Sequence, residues 1–305
     1  MTVLYRPGAE GDWGVFEPPV PGIALSQEWV TMNDKTRLYC RVWRAAGAQA
    51  TLLIAHGLGA HGGWFIDMGN ALASRGVNVW TVDHRGFGRS EGPRGHVTDY
   101  RRYLQDLDAV VDAVHAALPG TRLFLLGHSM GGIFATYYAA AHPEKLSGVL
   151  LLNPWIKDQS NASIGTVLAV TVRGIAKSPR PYRLAGGPDV MTVNTEAVKL
   201  LEADPHWVRE ESASFFWQVT LMRSGVLKQA QQVKLPALVL QAGQDKSVVA
   251  SASQEAFRRL GSADKTWKDY PTYAHDSEFE PDRSAMDDDI AAWMKAHVGA
   301  AEHLS

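Results

Sequence analysis

An apolar run at 122–126 passes directly into Gly127-His128-Ser129-Met130-Gly131, and a helical pattern follows at 131–141. This strand–turn–helix context is what a nucleophile elbow requires, with a serine on a tight turn and its hydroxyl projecting from a sheet edge. Side chains at 127 and 131 would collide with neighbouring backbone, which accounts for glycine at both positions. Such a turn needs a strand feeding a covering helix, so it confines the chain to architectures that alternate the two.

The rest of the chain alternates accordingly. Further strands are expected at 50–55, 77–82, 149–152, 237–241 and 265–270, and helices at 64–74, 100–118, 251–260 and 285–298. The 100–118 segment places Leu104, Leu107, Val110, Val111, Val114 and Leu118 at helical spacing and stops at Pro119-Gly120. Short apolar strands separated by helices imply an α/β fold, a mostly parallel central sheet with helices on both faces. A hairpin precedes it, with strands at 28–32 and 37–43 around Asn33-Asp34-Lys35. Residues 1–27, rich in Pro and Gly, read as an irregular N-terminal arm that packs through Trp13 and Phe16. The stretch 156–233 holds helical patterns, no convincing strand, and more residues than a plain loop uses. It is expected to be a helical cap inserted into a core domain formed by 28–155 and 234–305.

Composition narrows the function classes. A chain of 305 residues, 46% hydrophobic and 20% charged, accommodates one α/β domain with an insertion and excludes disorder over most of its length. A net charge of −2 gives no electrostatic case for nucleic acid. Cys40 is the single cysteine, which excludes an intrachain disulfide and argues against a cysteine-ligated metal. No signal-peptide pattern opens the chain and no apolar run reaches the roughly 18 residues of a membrane span, so a cytoplasmic location is expected. Asn161-Ala162-Ser163 fits a glycosylation acceptor but carries no weight without a secretion signal.

A nucleophilic serine needs a base, and the base needs an orienting acid, in the chain order Ser, acid, His. Of the late histidines, His297 falls in the last helix and His303 in the tail. His275, in Thr272-Tyr273-Ala274-His275-Asp276, follows a strand and can reach the carboxyl edge of the sheet. Asp245 follows the 237–241 strand at the same edge and is the expected acid. Asp276 is the rival, but a neighbour in sequence is poorly placed to accept the ring N–H of His275. The tetrahedral oxyanion needs two donors. The Met130 backbone N–H is one, and the Leu58 N–H, in the glycine-rich loop 56–63, is the expected second.

That loop also fits a competing pattern. Gly57-Leu58-Gly59-Ala60-His61-Gly62 matches G-x-G-x-x-G after a strand, and Asp83 ends the next strand as a dinucleotide-binding acid would. A nucleotide-dependent oxidoreductase would leave the serine elbow, Asp245 and His275 without a purpose. The segment 83–92, with Gly86, Gly88 and Gly92, is read as a structural turn under the active face. In the cap, 164–175 is largely apolar and reads either as a lid helix touching lipid or as a helix buried on the core. Trp207, Phe215, Phe216 and Trp217 are expected to form cap core.

His56-Gly57-Leu58-Gly59 with His61, Asp83-His84-Arg85-Gly86 with Gly88 and Ser90, Arg94-Gly95-His96-Val97, and Gly127-His128-Ser129-Met130-Gly131 together resemble the α/β-hydrolase superfamily. More closely, they are similar to its monoacylglycerol lipase and lysophospholipase branch, over about residues 28–298. The resemblance implies an α/β-hydrolase fold with a helical lid and a cofactor-free, metal-free serine hydrolase acting on ester lipids through Ser129, Asp245 and His275. His61, Trp155, Ile164 and Leu168 are candidate substrate-pocket residues. A small ester or lipid is the expected partner, with a transient membrane-surface contact through the cap and no nucleic acid. Ala60 and Gly62-Gly63-Trp64-Phe65 depart from the branch pattern beside the oxyanion loop. Esterases and peptidases of non-lipid substrates share the fold, and a ligand-binding member without turnover is the remaining alternative.

Overall fold

The computed structural model describes residues 23–159, 162–183 and 187–299. The expected packing of Trp13 and Phe16, the Asn161 acceptor and His303 lie outside the described residues. In chain order the elements are β1 (Ile23–Thr31), β2 (Arg37–Ala45), β3 (Ala50–Ala55), α1 (Ile66–Ser74), β4 (Val77–Val82) and α2 (Arg101–Ala117). β5 (Arg122–His128), α3 (Met130–Ala141) and β6 (Gly148–Leu152) follow. Then come α4 (Ile164–Ile175), β7 (Pro181–Tyr182), α5 (Thr195–Ala203), β8 (Glu211–Ser212) and α6 (Ala213–Ala230). The chain closes with β9 (Ala237–Ala242), α7 (Ala250–Arg259), β10 (Lys265–Tyr270) and α8 (Ser284–Ala296).

Eight strands form one sheet in the order β1-β2-β4-β3-β5-β6-β9-β10. The six from β4 to β10 run parallel, while β2 pairs antiparallel with β4 and β1 antiparallel with β2. β3, β4, β6 and β9 are buried along their whole length, which is why they read as mostly apolar runs, interrupted by Thr51, Asn78, Thr81 and Gln241, rather than as strands with one polar face. Leu52 and Ile54 of β3 face the layer holding Phe65, Met68, Leu72, Ile290 and Met294. Leu53 and Ala55, one residue out of phase, face Tyr103, Val110, Ile133 and Tyr138 on the other side. The chain leaves β3 toward β4 and returns to pair β5 with the opposite edge of β3. That reversal places a crevice outside the carboxyl ends of β3 and β5, where ligands bind in open α/β sheets.

Two expectations on secondary structure need correction. β1 begins at Ile23, five residues before the expected hairpin strand, and pairs from Ile23↔Ala45 to Thr31↔Arg37. It is an edge strand with no fully buried residue, so its alternation is weak. The 156–233 stretch also contains a short antiparallel pair, Pro181↔Ser212 and Tyr182↔Glu211. Two-residue strands are too short to leave a period in the sequence. α6 does more than fill a cap: Phe215 is fully buried against Phe87 and Tyr103 of the main core.

Candidate active site

Ser129 sits between β5 and α3 with φ 52° and ψ −113°, a conformation that costs a non-glycine residue about 1–3 kcal/mol. Its surroundings hold it there. The Ser129 N–H donates to Leu152 O (2.9 Å), and its carbonyl accepts from the N–H groups of Gly132 (3.0 Å) and Trp155 (2.9 Å). A Cβ at 127 would stand 2.2 Å from Gly131 O, and one at 131 would stand 2.1 Å from Ala55 O. Both glycines are therefore dictated by backbone contact, as the elbow motif predicts.

The expected partners converge on the hydroxyl. His275 Nε2 lies 2.9 Å from Ser129 Oγ, and His275 Nδ1 lies 2.7 Å from Asp245 Oδ2. With a carboxylate on Nδ1, the ring proton sits there and Nε2 is left to accept the serine proton. Asp245 Oδ1 accepts the N–H groups of Ser247 (2.8 Å) and Val248 (2.9 Å). Burial alone would raise the Asp245 pKa, but the His275 charge and these hydrogen bonds bring it below the usual carboxylate range. Burial would likewise lower His275, yet the Asp245 charge and hydrogen bond leave it above its ordinary value. The arrangement can draw a proton from Ser129 and stabilise the imidazolium that results.

Asp276 is placed elsewhere. Its carboxylate faces His128 Nε2 at 3.6 Å, and burial pushes its pKa up to about 7. One ligand atom each from His128, His275 and Asp276 falls within 4.8 Å of the others, but both His275 nitrogens are already committed to Ser129 and Asp245.

The loop after β3 lies against the nucleophile, since a Cβ on Gly57 would stand 3.1 Å from Ser129 Cβ. Leu58 follows at this contact. Met130 opens α3, so its N–H is among the donors that a helix start leaves free. The dinucleotide reading fails on Asp83. That side chain is fully buried and accepts from Gly62 N (2.7 Å), Arg89 N (2.8 Å) and Arg41 Nη1 (3.1 Å), leaving nothing for a ribose. The 83–92 segment is thus a structural turn that ties β2 to the loop.

Three of the four candidate pocket residues are corrected by their surroundings. His61 is fully buried with both ring nitrogens engaged: Nδ1 accepts from Gly63 N (3.0 Å), and Nε2–H donates to Asp204 Oδ2 (2.9 Å). Ile164 and Leu168 lie on the outer face of α4, 87% and 62% exposed, so they line no enclosed pocket here. Their helix turns its apolar residues outward because its inner face is taken by α6, where Gly174 abuts Trp217. Trp155 remains beside the site, with its backbone on Ser129 and Arg223 stacked over its ring at 5.0 Å.

Sequence reasoning missed Asn153. It is fully buried at φ 44°, its Nδ2 donates to His275 O (2.6 Å) and Ser277 Oγ (2.9 Å), and its Oδ1 accepts from Ala242 N (2.7 Å). An asparagine just past a buried strand is the available signal, because Asn tolerates the left-handed region. His128 was also missed as a strut: burial drives it down to about 3, and its Nε2 lies 3.1 Å from His275 O.

Residues 46–282 match the family model described as serine aminopeptidase, S33. The human monoglyceride lipase is 29% identical over 276 residues, covering 88% of this chain and 90% of that protein. The monoacylglycerol lipase of Mycolicibacterium smegmatis is 26% identical over 264 residues, covering 86% and 94%. The crystal structure of Paleococcus ferrophilus monoacylglycerol lipase superposes with a TM-score of 0.77 at 25% identity, covering 85% of this chain and 99% of that one.

Proposed function

Because this chain belongs to the α/β-hydrolase family described as serine aminopeptidase, S33, we propose that it cleaves carboxylic esters of monoacylglycerol or lysophospholipid type through an acyl-enzyme on Ser129. The observation that carries this reading is the continuous chain Asp245–His275–Ser129, with links of 2.7 and 2.9 Å. The kinship with monoglyceride lipases over most of both chains supports the ester class.

His275 Nε2 takes the Ser129 proton as Oγ attacks the ester carbonyl carbon. The electron pair moves to the carbonyl oxygen, which the Leu58 and Met130 N–H groups receive. Two such aimed donors are worth several kcal/mol, since removing one costs about 3 kcal/mol of transition-state stabilisation. The intermediate collapses, and the alcohol departs with the proton from His275. Water then gives a proton to His275 Nε2 as its oxygen attacks the acyl carbon, and this second intermediate collapses with the bond to Ser129 Oγ breaking, His275 returning that proton to Oγ as the acid leaves.

No helix among the described residues is long and apolar enough to cross a membrane. α4 instead offers a surface device. Ile164, Val167, Leu168, Val172 and Ile175 fall on one face and are 53–87% exposed, with Arg173, Lys177 and Arg180 close by. A face of this kind rests on a lipid aggregate and brings a cytoplasmic enzyme to its substrate.

The test is a panel of monoacylglycerols, lysophospholipids, p-nitrophenyl esters and aminoacyl p-nitroanilides, run on wild type and Ser129→Ala. Turnover of glycerol or lysophospholipid esters that disappears in Ser129→Ala is expected. Turnover of the anilides alone would move the protein to peptide chemistry.

A further inference from the structure

The loop that carries Leu58 is held from two sides. Gly57 packs against Ser129 on one side. On the other side lie residues 204–209, the irregular connection after α5. Asp204 sends one oxygen back across 143 residues of sequence: Oδ2 accepts from His61 Nε2 (2.9 Å) and from Trp64 Nε1 (2.7 Å). Its second oxygen, Oδ1, accepts the His206 N–H (2.8 Å), which fixes the carboxylate plane. Both side chains of the Asp204–His61 pair are fully buried.

Further contacts continue along the same strap. The Val208 N–H donates to Gly59 O (2.9 Å), the carbonyl one residue past Leu58. Gly59 is in the left-handed region at φ 72°, and a Cβ there would stand 2.5 Å from Val208 O and 2.8 Å from Trp207 Nε1. Arg209 caps the Trp207 ring at 4.5 Å, and Arg94 Nη2 donates to His206 O (3.0 Å). Strap and loop are thus locked at Gly59, His61 and Trp64, all within six residues of the oxyanion donor.

We propose that Asp204 is a positioning residue: with its strap it fixes the 57–64 loop so that the Leu58 N–H is aimed at the oxyanion before substrate arrives. This rests on the reading that Ser129 forms an acyl-enzyme whose oxyanion Leu58 receives. The inserted segment then completes the catalytic apparatus as well as covering it. An oxyanion donor acts only when it is pre-aligned, and a misplacement of about 1 Å costs on the order of a hundredfold in rate. Loosening the strap therefore lowers kcat while leaving ground-state binding in place.

The experiment compares wild type, Asp204→Asn, Asp204→Ala and Ser129→Ala. Competent sites are counted from the p-nitrophenyl butyrate burst, then kcat, KM and the affinity of an alkyl trifluoromethyl ketone are measured per site. The ketone's hemiketal oxyanion uses the same donors as the reaction. Asp204→Ala is expected to lose about ten- to a hundredfold in kcat with KM within about threefold, and to lose ketone affinity in parallel. Asp204→Asn keeps one acceptor for His61 and Trp64 and is expected to fall between the two. If Asp204→Ala does not fold, Asp204→Asn decides alone, through a parallel loss of at least about fivefold in kcat and ketone affinity. A per-site kcat equal to wild type, or a kcat loss with ketone affinity unchanged, overturns the proposal. The underlying reading fails separately, if wild type shows no burst or Ser129→Ala still turns over.

Discussion

Asn153 donates to the main-chain oxygen of His275 at 2.6 Å, so the residue that closes β6 sets the position of the imidazole. The same side chain accepts from Ala242 N, coupling the ends of β6 and β9 through one amide. Replacing it takes the side-chain acceptor from the buried Ala242 N–H and leaves the His275 carbonyl with His128 Nε2 as its remaining side-chain contact. Asn153→Ala is expected to lose about 2–3 kcal/mol of stability together with activity per folded molecule. Urea unfolding followed by kcat at full folding measures both, and an unchanged midpoint would contradict the role.

The pH profile tests the acid–base pair. His275 must be neutral to accept the serine proton, so kcat/KM rises with pH as His275 deprotonates. Its folded pKa lies above 6.5, held there by Asp245 against the pull of burial. The acid limb of the wild-type profile is expected to have its midpoint above 6.5. In Asp245→Asn the midpoint moves down and kcat falls by about four orders of magnitude. Asp276→Asn, whose carboxylate makes no hydrogen bond to His275, is expected to retain activity within about tenfold.

Stability has its own pH signature at Asp287. This carboxylate is almost wholly buried, and burial lifts its pKa from 3.8 to about 7 despite Arg283 at 3.1 Å. A raised folded pKa means the native state keeps a proton that the unfolded chain has released. The sign follows: the contribution is full below pH 3.8 and is lost as the pH climbs through about 7. Asp287→Asn removes this dependence. Thermal melts from pH 4 to 8 are expected to show wild type falling relative to the variant by roughly a few degrees. Parallel curves would refute the burial argument.

The outward face of α4 is tested by charge. Val167→Glu with Val172→Glu places two carboxylates in the middle of the apolar stripe. Partition onto phosphatidylcholine vesicles is expected to drop at least about tenfold, while hydrolysis of a monomeric ester such as p-nitrophenyl acetate continues. Equal vesicle binding by wild type and variant would remove the surface role.

What the sequence revealed and what it hid divide along a physical line. The elbow, the glycine loop and the order Ser129, Asp245, His275 were legible because each is a local demand. A tight turn needs glycine, and a strand end can present a carboxylate or an imidazole. The β1 extension to Ile23 was not legible, because an edge strand buries too little to enforce alternation. The roles of His61 and Asp204 were hidden for a different reason. A buried polar pair 143 residues apart leaves no period: His61 alone reads as a pocket candidate, and Asp204 alone as a surface loop group. The direction of α4 was hidden because an apolar stripe has the same spacing whether it faces the core or the solvent. Only the neighbour, α6 with Trp217 against Gly174, decides that.

The left-handed backbone of Ser129 has an evolutionary consequence. Glycine occupies φ 52° without steric penalty, so Ser129→Gly relieves tension that the surrounding hydrogen bonds now hold in place, against the entropy that glycine adds to the unfolded chain. The dead variant is therefore expected to unfold later than the living one. Under the proposed acyl-enzyme reading, selection for turnover keeps the hydroxyl in place against this gain in stability.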